Sequence, residues 1–388
     1  MNVGKTIFAQ LMEFIPVYEF GQCVDRYGGD HKLKSFSCWD QYLCMAFAQL
    51  TGRESLRDIE VTLRAASSRL YHMGFRGDVS RNTLSNANRV RDWRIYADLA
   101  HRLIATARRL YADEPHGVAL GHVVYALDST TIDLCLSLFP WAGFRRRKGA
   151  IKLHTLLDVR ASIPTVVIIT PGRVHDVNIL DELVFDPGAI YVADRAYVDF
   201  ARLHRITRAS AFFVTRAKRN MDFRVLTRRC VNKISGLRSD QDIALQGPKS
   251  RTDYPAALRR ISYRDPETRK RFVFLTNNFA LPALTIAQLY RSRWKVELFF
   301  KWIKQHLRIK TFYGTNATAV KTQIWIAISV YVLIAVIRKR LKIKASLYTI
   351  LQVLSVTLFE KTPLFQAFSE NPSDQIPEGL SRQLQLFD

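Results

Sequence analysis

The chain has 388 residues, 48% of them apolar, with a formal net charge of +24 and a pI near 10.1. That length and apolar content exclude a disordered chain and allow one large core or two to three modules. The positive excess is far beyond what solubility requires and points to a polyanionic partner, nucleic acid ahead of an anionic membrane surface. Five cysteines (Cys23, Cys38, Cys44, Cys135, Cys230) form no CxxC pair, so neither a zinc site nor a disulfide framework is expected. A reducing cytosol suits them, and no apolar leader is expected, since a mixed amphipathic run follows Lys5.

In chain order, residues 1 to about 75 read as short helices. Thr6 opens one, Pro16 interrupts it, and Gly28-Gly29 marks a loop. Ser37 to Leu50 reads as a helix with Trp39, Leu43, Phe47 and Leu50 on one face, and Thr51-Gly52 stops it. Ser55 then caps a third. Such a module suits DNA contact or a structural cap. After Gly74 and Gly77, Ser80 caps a helix bearing Arg81, Asn82, Thr83, Asn86 and Arg89, and the helical period continues to about Tyr111. Arg and Asn can pair bidentately with base edges, as on the second helix of a helix-turn-helix, so Arg81 and Asn86 are candidate DNA contacts. The alternative is the polar face of an ordinary helix, because Leu84, Ala87, Val90 and Trp93 supply a buried stripe.

From Val123 the period shortens from helix to strand. Val123–Leu127 is an apolar run that ends at Asp128, and Ile132–Leu138 alternates onward. Phe144–Gly149 is a basic turn, Lys152–Val159 a second strand, Pro164–Thr170 a third and Asp176–Val184 a helix. Ala189–Ala193 is a fourth strand, ending at Asp194 and followed by Arg195-Ala196-Tyr197. The two aspartates lie 66 positions apart. An acid at the end of a buried strand is costly without a cation or hydrogen-bond partners. Asp133, Asp158, Asp176, Asp181 and Asp199 compete with them, and His175–Asn178 is a candidate for orienting DNA or the site. Three strands, a helix and a fourth strand is the ribonuclease H-like order.

Ala211–Thr215 reads as strand five. Then come Phe223–Thr227, Leu258–Tyr263 and Arg271–Thr276, strand-like segments of an inserted subdomain. Residues 201–271 hold 19 Lys or Arg against 6 Asp or Glu, so over half of the net charge sits there and favours phosphate contact. Next, Tyr290 to Lys304 reads as one amphipathic helix that places Tyr290, Arg293, Glu297 and Lys304 within about one face. Lys295 and Lys301 flank Glu297, which would also suit a routine helix ion pair. The longest apolar run, Ile324–Ile337, is 14 residues long. That is short of the roughly 18–20 that span a bilayer, so a buried core helix and no membrane association are expected. Another helix is expected near Leu347–Leu358, then a polar tail past Pro372.

The spacing Tyr290-x2-Arg293-x3-Glu297-x6-Lys304 resembles the signature of insertion-sequence transposases of the DDE class, in the branch typified by insertion sequence four. The resemblance implies that Asp128, Asp194 and Glu297 are catalytic and hold Mg2+ or Mn2+, two ions together. Oxygen-only donors suit those ions, and such a pair activates the attacking oxygen and stabilises the leaving one. It implies phosphate contacts from Tyr290, Arg293 and Lys304, with Arg195, Tyr197 and Lys301 beside them. Double-stranded DNA carrying terminal inverted repeats, target DNA and a homodimer on that DNA are the implied partners. The implied reaction is cut-and-paste: cleavage at the repeats, then strand transfer of the freed 3′ hydroxyl. A nuclease without joining activity, or an inactive transposase-derived regulator, remain the alternatives. No HExxH, P-loop or GxSxG motif supports a protease, nucleotide triphosphatase or hydrolase.

Relatives that pass through a DNA hairpin place a Trp of the insertion near the strand end. All six Trp here lie outside residues 201–289. Phe212, Phe213, Phe223, Tyr254 and Tyr263 are the substitutes that could stack instead. The expected fold class is therefore α/β: a ribonuclease H-like catalytic core with a β-rich insertion before the last catalytic helix, preceded by an α-helical DNA-binding region. The expected divisions are a helical module at 1–75, a helical linker at 76–118, the core at 119–345 with its insertion at about 216–285, and a C-terminal helix and tail at 346–388.

Overall fold

The computed structural model describes residues 4–33, 35–114, 121–145, 148–306 and 312–368; the side chains at 144, 145, 148, 305 and 306 are outside it. The side chains of the basic turn 144–148 and the polar tail therefore lie outside the described residues. The chain divides into two compact units, Met1–Leu110 with Gln305–Asp388, and Tyr111–Lys304.

The first unit begins with α1 (Ile7–Met12), α2 (Val17–Arg26), α3 (Cys38–Thr51), α4 (Leu56–Ala65), α5 (Arg81–Val90) and α6 (Arg94–Leu110). Their starts follow local chemistry. Ser37 and Asp40 form a reciprocal capping box on α3, and the Ser55 and Ser80 side chains cap α4 and α5. Gly52, in the left-handed region at φ 63°, ends α3. The long helix expected from Ser80 to Tyr111 is two helices. Arg91 is extended at ψ 142°, and its guanidinium donates to the Ser37 carbonyl at 2.9 Å and to Gln41 at 3.0 Å. Asp92 then caps α6 through the Arg94 N–H at 2.9 Å.

The second unit carries one sheet. Its strands are β1 (Val124–Leu134), β2 (Gly143–Arg145), β3 (Lys148–Asp158), β4 (Ile163–Pro171) and β5 (Ile190–Ala193). After α7 (Phe200–Arg208) come β6 (Phe212–Arg216), β7 (Phe223–Arg229), β8 (Leu237–Leu245), α8 (Pro248–Asp253), β9 (Leu258–Arg264) and β10 (Arg271–Thr276). The helices α9 (Ala283–Ser292) and α10 (Trp294–His306) follow. Strand order is β3-β1-β5-β6-β10-β9-β8-β7, with β2 and β4 both pairing β3. The segment β4-β3-β1 is antiparallel, and β1-β5-β6 is parallel. That is the ribonuclease H-like order.

Four details depart from the sequence reading. β1 does not stop at Leu127; it stays paired to β3 through Leu134, so Asp128 lies within the strand. The expected helix at 176–184 is a 3-10 turn, Asp176–Asp181. The insertion extends the same sheet, because β10 pairs antiparallel with β6. Its strand β8 escaped the reading, since a register shift between Leu237 and Ser239 breaks its alternation and its inward Asp240 looks like a loop acid.

Tyr125, Leu127, Leu156, Tyr191 and Phe213 on one face of this sheet pack with Leu203 and Ile206 of α7 and Ile179 and Leu180 of the 3-10 turn. Each such burial contributes roughly 1.5–3 kcal/mol. The chain closes with α11 (Ala317–Arg340) and α12 (Leu347–Thr357). α11 is long and apolar enough to span a bilayer, yet 94% of its most apolar window is buried in the first unit, where α3, α5, α6 and α12 surround it. The expected core boundary at 345 therefore differs from the observed division, which places α11 with the N-terminal helices.

Candidate active site

Residues Val124–Leu127 of β1 pair in parallel with Ile190–Ala193 of β5, and on each strand the next residue is an aspartate. Register alone therefore brings Asp128 and Asp194 side by side, where the parallel pairing of the two strands ends. Side chains alternate along β1, so Asp128 points away from the α7 face on which Tyr125 and Leu127 are packed.

The expected single helix from Tyr290 to Lys304 is broken at Arg293. The Arg293 N–H bonds the Tyr290 carbonyl at 3.2 Å and the Val296 N–H bonds the Arg293 carbonyl at 3.1 Å, so the chain tightens to three-residue steps there. This junction sends the two side chains to different acids. Tyr290 donates its hydroxyl to Asp194 Oδ1 at 3.4 Å. Arg293 donates one amino group to Asp128 Oδ2 at 2.7 Å and the other to Glu297 Oε1. Both flanking lysines leave Glu297: Lys295 donates to the Val159 carbonyl at 2.7 Å, and Lys301 is exposed. The ion-pair partner of Glu297 is therefore Arg293, four residues before it, and neither lysine.

Burial raises the Asp128 carboxyl to about 6; its Ser129 N–H bond and Arg293 oppose that, while Glu297 and Asp194 add to it. Burial opposes the charge on Arg293, but Tyr290, Asp128 and Glu297 outweigh it and hold the guanidinium above its ordinary pKa. Burial, then Asp194, raises the Tyr290 phenol. The Arg293 Nε is buried with no hydrogen-bond partner among the described residues. Three carboxylates in one electrostatic neighbourhood, two of them bridged by a fixed cation, are an arrangement that a divalent ion could also satisfy. As they stand, no three acidic, imidazole or thiol side chains among the described residues are close enough together to hold a metal ion. The guanidinium holds the gap between Asp128 and Glu297.

Residues 119–333, more than half of the chain, match the family described as Transposase DDE domain. The chain belongs to that family. Residues 3–76 match a domain of unknown function, DUF4372. Among relatives, y4zB of Sinorhizobium fredii, named as a transposase, is 33% identical over 61% of this chain and 66% of its own length. A protein of Geobacillus stearothermophilus named as a transposase for insertion sequence element IS5377 is 33% identical over 54% of this chain and 55% of its own. One of Synechocystis named for insertion sequence element IS4SA is 22% identical over 80% of this chain and 83% of its own. The chain thus spans just under two thirds and just over half of the first two relatives. A piggyBac transposase synaptic complex with hairpin DNA aligns with a TM-score of 0.48 and 11% identity, covering 99% of this chain and 85% of that one.

The competing acids have other work. Asp158 holds Arg160 at 2.6 Å, Asp181 takes Arg202 and Arg205, and Asp199 caps α7. Asp133 is exposed on β1. The other residues expected near a transposase's DNA scatter. Lys304 is half-buried and donates to the Thr131 carbonyl of β1 at 2.7 Å. Arg195 is exposed, and its N–H is held by Asp194 at 2.6 Å. Tyr197 corrects the reading: it is 2% exposed, packed in the core, and offers nothing to DNA. Arg81 and Asn86 are exposed on α5 of the first unit, with Asn86 accepting from Arg89 at 3.0 Å.

Of the aromatics that could stack on a strand end, Phe213 and Tyr254 are fully buried. Tyr263 instead joins Phe272, Phe274, Tyr290 and Trp294 around a cavity of about 540 Å³ that Arg216 and Arg293 also line. Trp294 is exposed there. Sequence reasoning missed this placement because Trp294 lies outside the insertion and reaches the cavity only through the tertiary fold.

Proposed function

We propose that this chain cuts DNA at the terminal inverted repeats of a mobile element and transfers the freed 3′ hydroxyl into target DNA. The observation that carries this reading is the linkage of Asp128, Asp194 and Glu297 through Arg293 and Tyr290, where the parallel pairing of β1 and β5 ends. Those three carboxylates would hold Mg2+ or Mn2+, two ions together, which would supply Lewis-acid stabilisation of phosphodiester oxygens. Water attacks the phosphorus and the O3′ departs with a proton. That 3′ hydroxyl then attacks a target phosphodiester, giving up its proton and displacing the target strand's own O3′.

Arg293 carries the charge that an incoming phosphate needs, and it is already desolvated. A phosphate arriving at Arg293 competes with Asp128 and Glu297 for the guanidinium and releases the two carboxylates. Lys304, Lys301 and Arg195 lie on the same elements and suit the flanking phosphates. Exposed Lys218, Arg219, Arg224, Arg228 and Arg238 of the sheet extension suit the more distant backbone, and Arg81 and Asn86 of α5 suit a groove. A homodimer on DNA follows from the need to handle two ends together, and the cytoplasm of a bacterium is the setting we propose.

The test is nicking of a labelled inverted-repeat duplex in Mg2+, by wild type and by Glu297→Gln. Cleavage by wild type alone, with equal duplex binding, is expected. Equal cleavage by both removes Glu297 from the site. A joining assay with paired repeat ends separates a transposase from a nuclease that only cleaves.

A further inference from the structure

Asp176 is a fourth acid near Asp128, and its surroundings are those of a fixed support. On β1, Ser129 follows Asp128 and points to the opposite face of the sheet. Its Oγ donates to Asp176 Oδ1 at 2.8 Å, while its backbone N–H donates to Asp128 Oδ1 at 2.8 Å. One residue therefore grips both acids, one from its side chain and one from its main chain. Asp176 is held in turn by Lys152 of β3, whose Nζ donates to Asp176 Oδ1 at 3.0 Å and to the Val174 carbonyl at 2.8 Å.

The sheet register explains why this set meets. Ser129 pairs with His154 and Thr131 with Lys152, so all four share one face. His154 is 1% exposed, bonds Thr170 through Nε2 at 2.8 Å, and keeps Nδ1 3.8 Å from Asp176. From the other side the buried Tyr197 ring closes the cluster, its hydroxyl beside Ser129 without reaching hydrogen-bond geometry. The Lys152 side chain keeps only 14% of its exposure. A lysine so enclosed is retained at a desolvation cost that its three donors and one carboxylate must offset.

The position of the cluster along β1 matters most. Parallel pairing to β5 ends at Leu127, so from Asp128 onward β1 keeps hydrogen-bonded strand neighbours on the β3 side alone. The strand therefore loses lateral support at the residue whose carboxylate must hold its place. The Ser129–Asp176–Lys152 links replace that support from the reverse face.

We propose that Asp176 and Lys152 form a positioning pair that acts through Ser129 to fix the direction of the Asp128 carboxylate. This rests on the DNA-cleaving reading for its consequence, and on the β1 geometry alone for its mechanism. The experiment uses the full chain as wild type, Ser129→Ala, Ser129→Thr, Asp176→Asn and the Ser129→Ala/Asp176→Asn double variant. Asp181→Asn, in the exposed Arg202 and Arg205 pair of the same turn, is the control.

The first readout is amide hydrogen exchange across residues 127–132, which requires neither DNA nor metal. Exchange roughly ten times faster in Ser129→Ala, at unchanged melting temperature, is expected, with Ser129→Thr near wild type; Asp176→Asn speeds the same exchange and also lowers the melting temperature, because it leaves the enclosed Lys152 ammonium without its carboxylate. The second readout is single-turnover nicking of a preformed complex with the inverted-repeat duplex. Losses of ~10–100-fold at unchanged duplex affinity are expected for Ser129→Ala and Asp176→Asn, with the double variant no worse than the poorer single. Rescue by Ser129→Thr distinguishes positioning from a general packing defect. Unchanged exchange in Ser129→Ala, or nicking equal to wild type, overturns the proposal. If wild type itself nicks nothing, the transposition reading falls, and the exchange measurement still decides whether Asp176 positions Asp128.

Discussion

Two arginines of the second unit, Arg259 and Arg293, are both paired with carboxylates, and they differ in every respect that matters for function. Arg259 of β9 is 3% exposed and forks onto Asp240 of β8 at 2.9 and 2.7 Å. Its remaining donors meet the Asn278 and Leu281 carbonyls. Every group is satisfied, and the pair locks two strands and the chain leading into α9. Arg293 is divided between two carboxylates on separate elements, leaves Nε without a partner among the described residues, and holds acids whose side chains keep 20% and 33% of their exposure. A buried pair that uses all of its donors is architecture. A partly exposed pair that leaves a donor over can give up its partners to an incoming charge.

That contrast can be broken by experiment. The largest effect belongs to Glu297→Gln, expected to reduce nicking by ~10³-fold, about 4 kcal/mol of barrier, with duplex affinity and melting temperature unchanged. Should nicking survive, the Arg293 cluster is architecture after all. Next in size is Asp240→Asn, which strands a buried guanidinium and is expected to cost about 3–5 kcal/mol in chemical unfolding. Arg293→Gln, by contrast, is expected to cost less than about 1 kcal/mol of stability while removing nicking; a comparable loss of stability from both would erase the distinction.

His154 offers a third case, a buried group kept neutral. Burial, with Lys152 adding to it and Asp176 opposing, lowers its imidazole from 6.5 to about 4. The unfolded chain therefore binds a proton that the folded chain refuses between those values. Stability is fully present above about pH 6.5 and falls as pH drops toward 4, by about 3 kcal/mol. Urea unfolding of His154→Gln across that window is expected to show a shallower slope than wild type; identical slopes would mean that His154 is not the group responsible. The smallest effect is at the exposed extreme. Arg224 is exposed on the edge strand β7, so Arg224→Ala is expected to leave stability alone and reduce the salt slope of duplex binding by about 1. An unchanged slope would assign that charge to guarding the sheet edge.

Much of the site could be read in the chain itself. Tyr290, Arg293, Glu297 and Lys304 repeat at helical spacing, and Asp128 and Asp194 each follow an apolar strand run, because local periodicity follows from backbone geometry that any short window contains. The helix caps at Ser37, Ser55 and Ser80 were legible for the same reason. Pairings between distant segments were not. That Asp128 and Asp194 are neighbours depends on the β1–β5 register, and the membership of the insertion in the same sheet depends on β6 meeting β10. The burial of Tyr197, the place of α11 among the N-terminal helices and the Lys152–Asp176–Ser129 link are likewise tertiary facts. A strand's sequence specifies which of its faces is apolar, but its neighbour is chosen by the packing of the whole sheet.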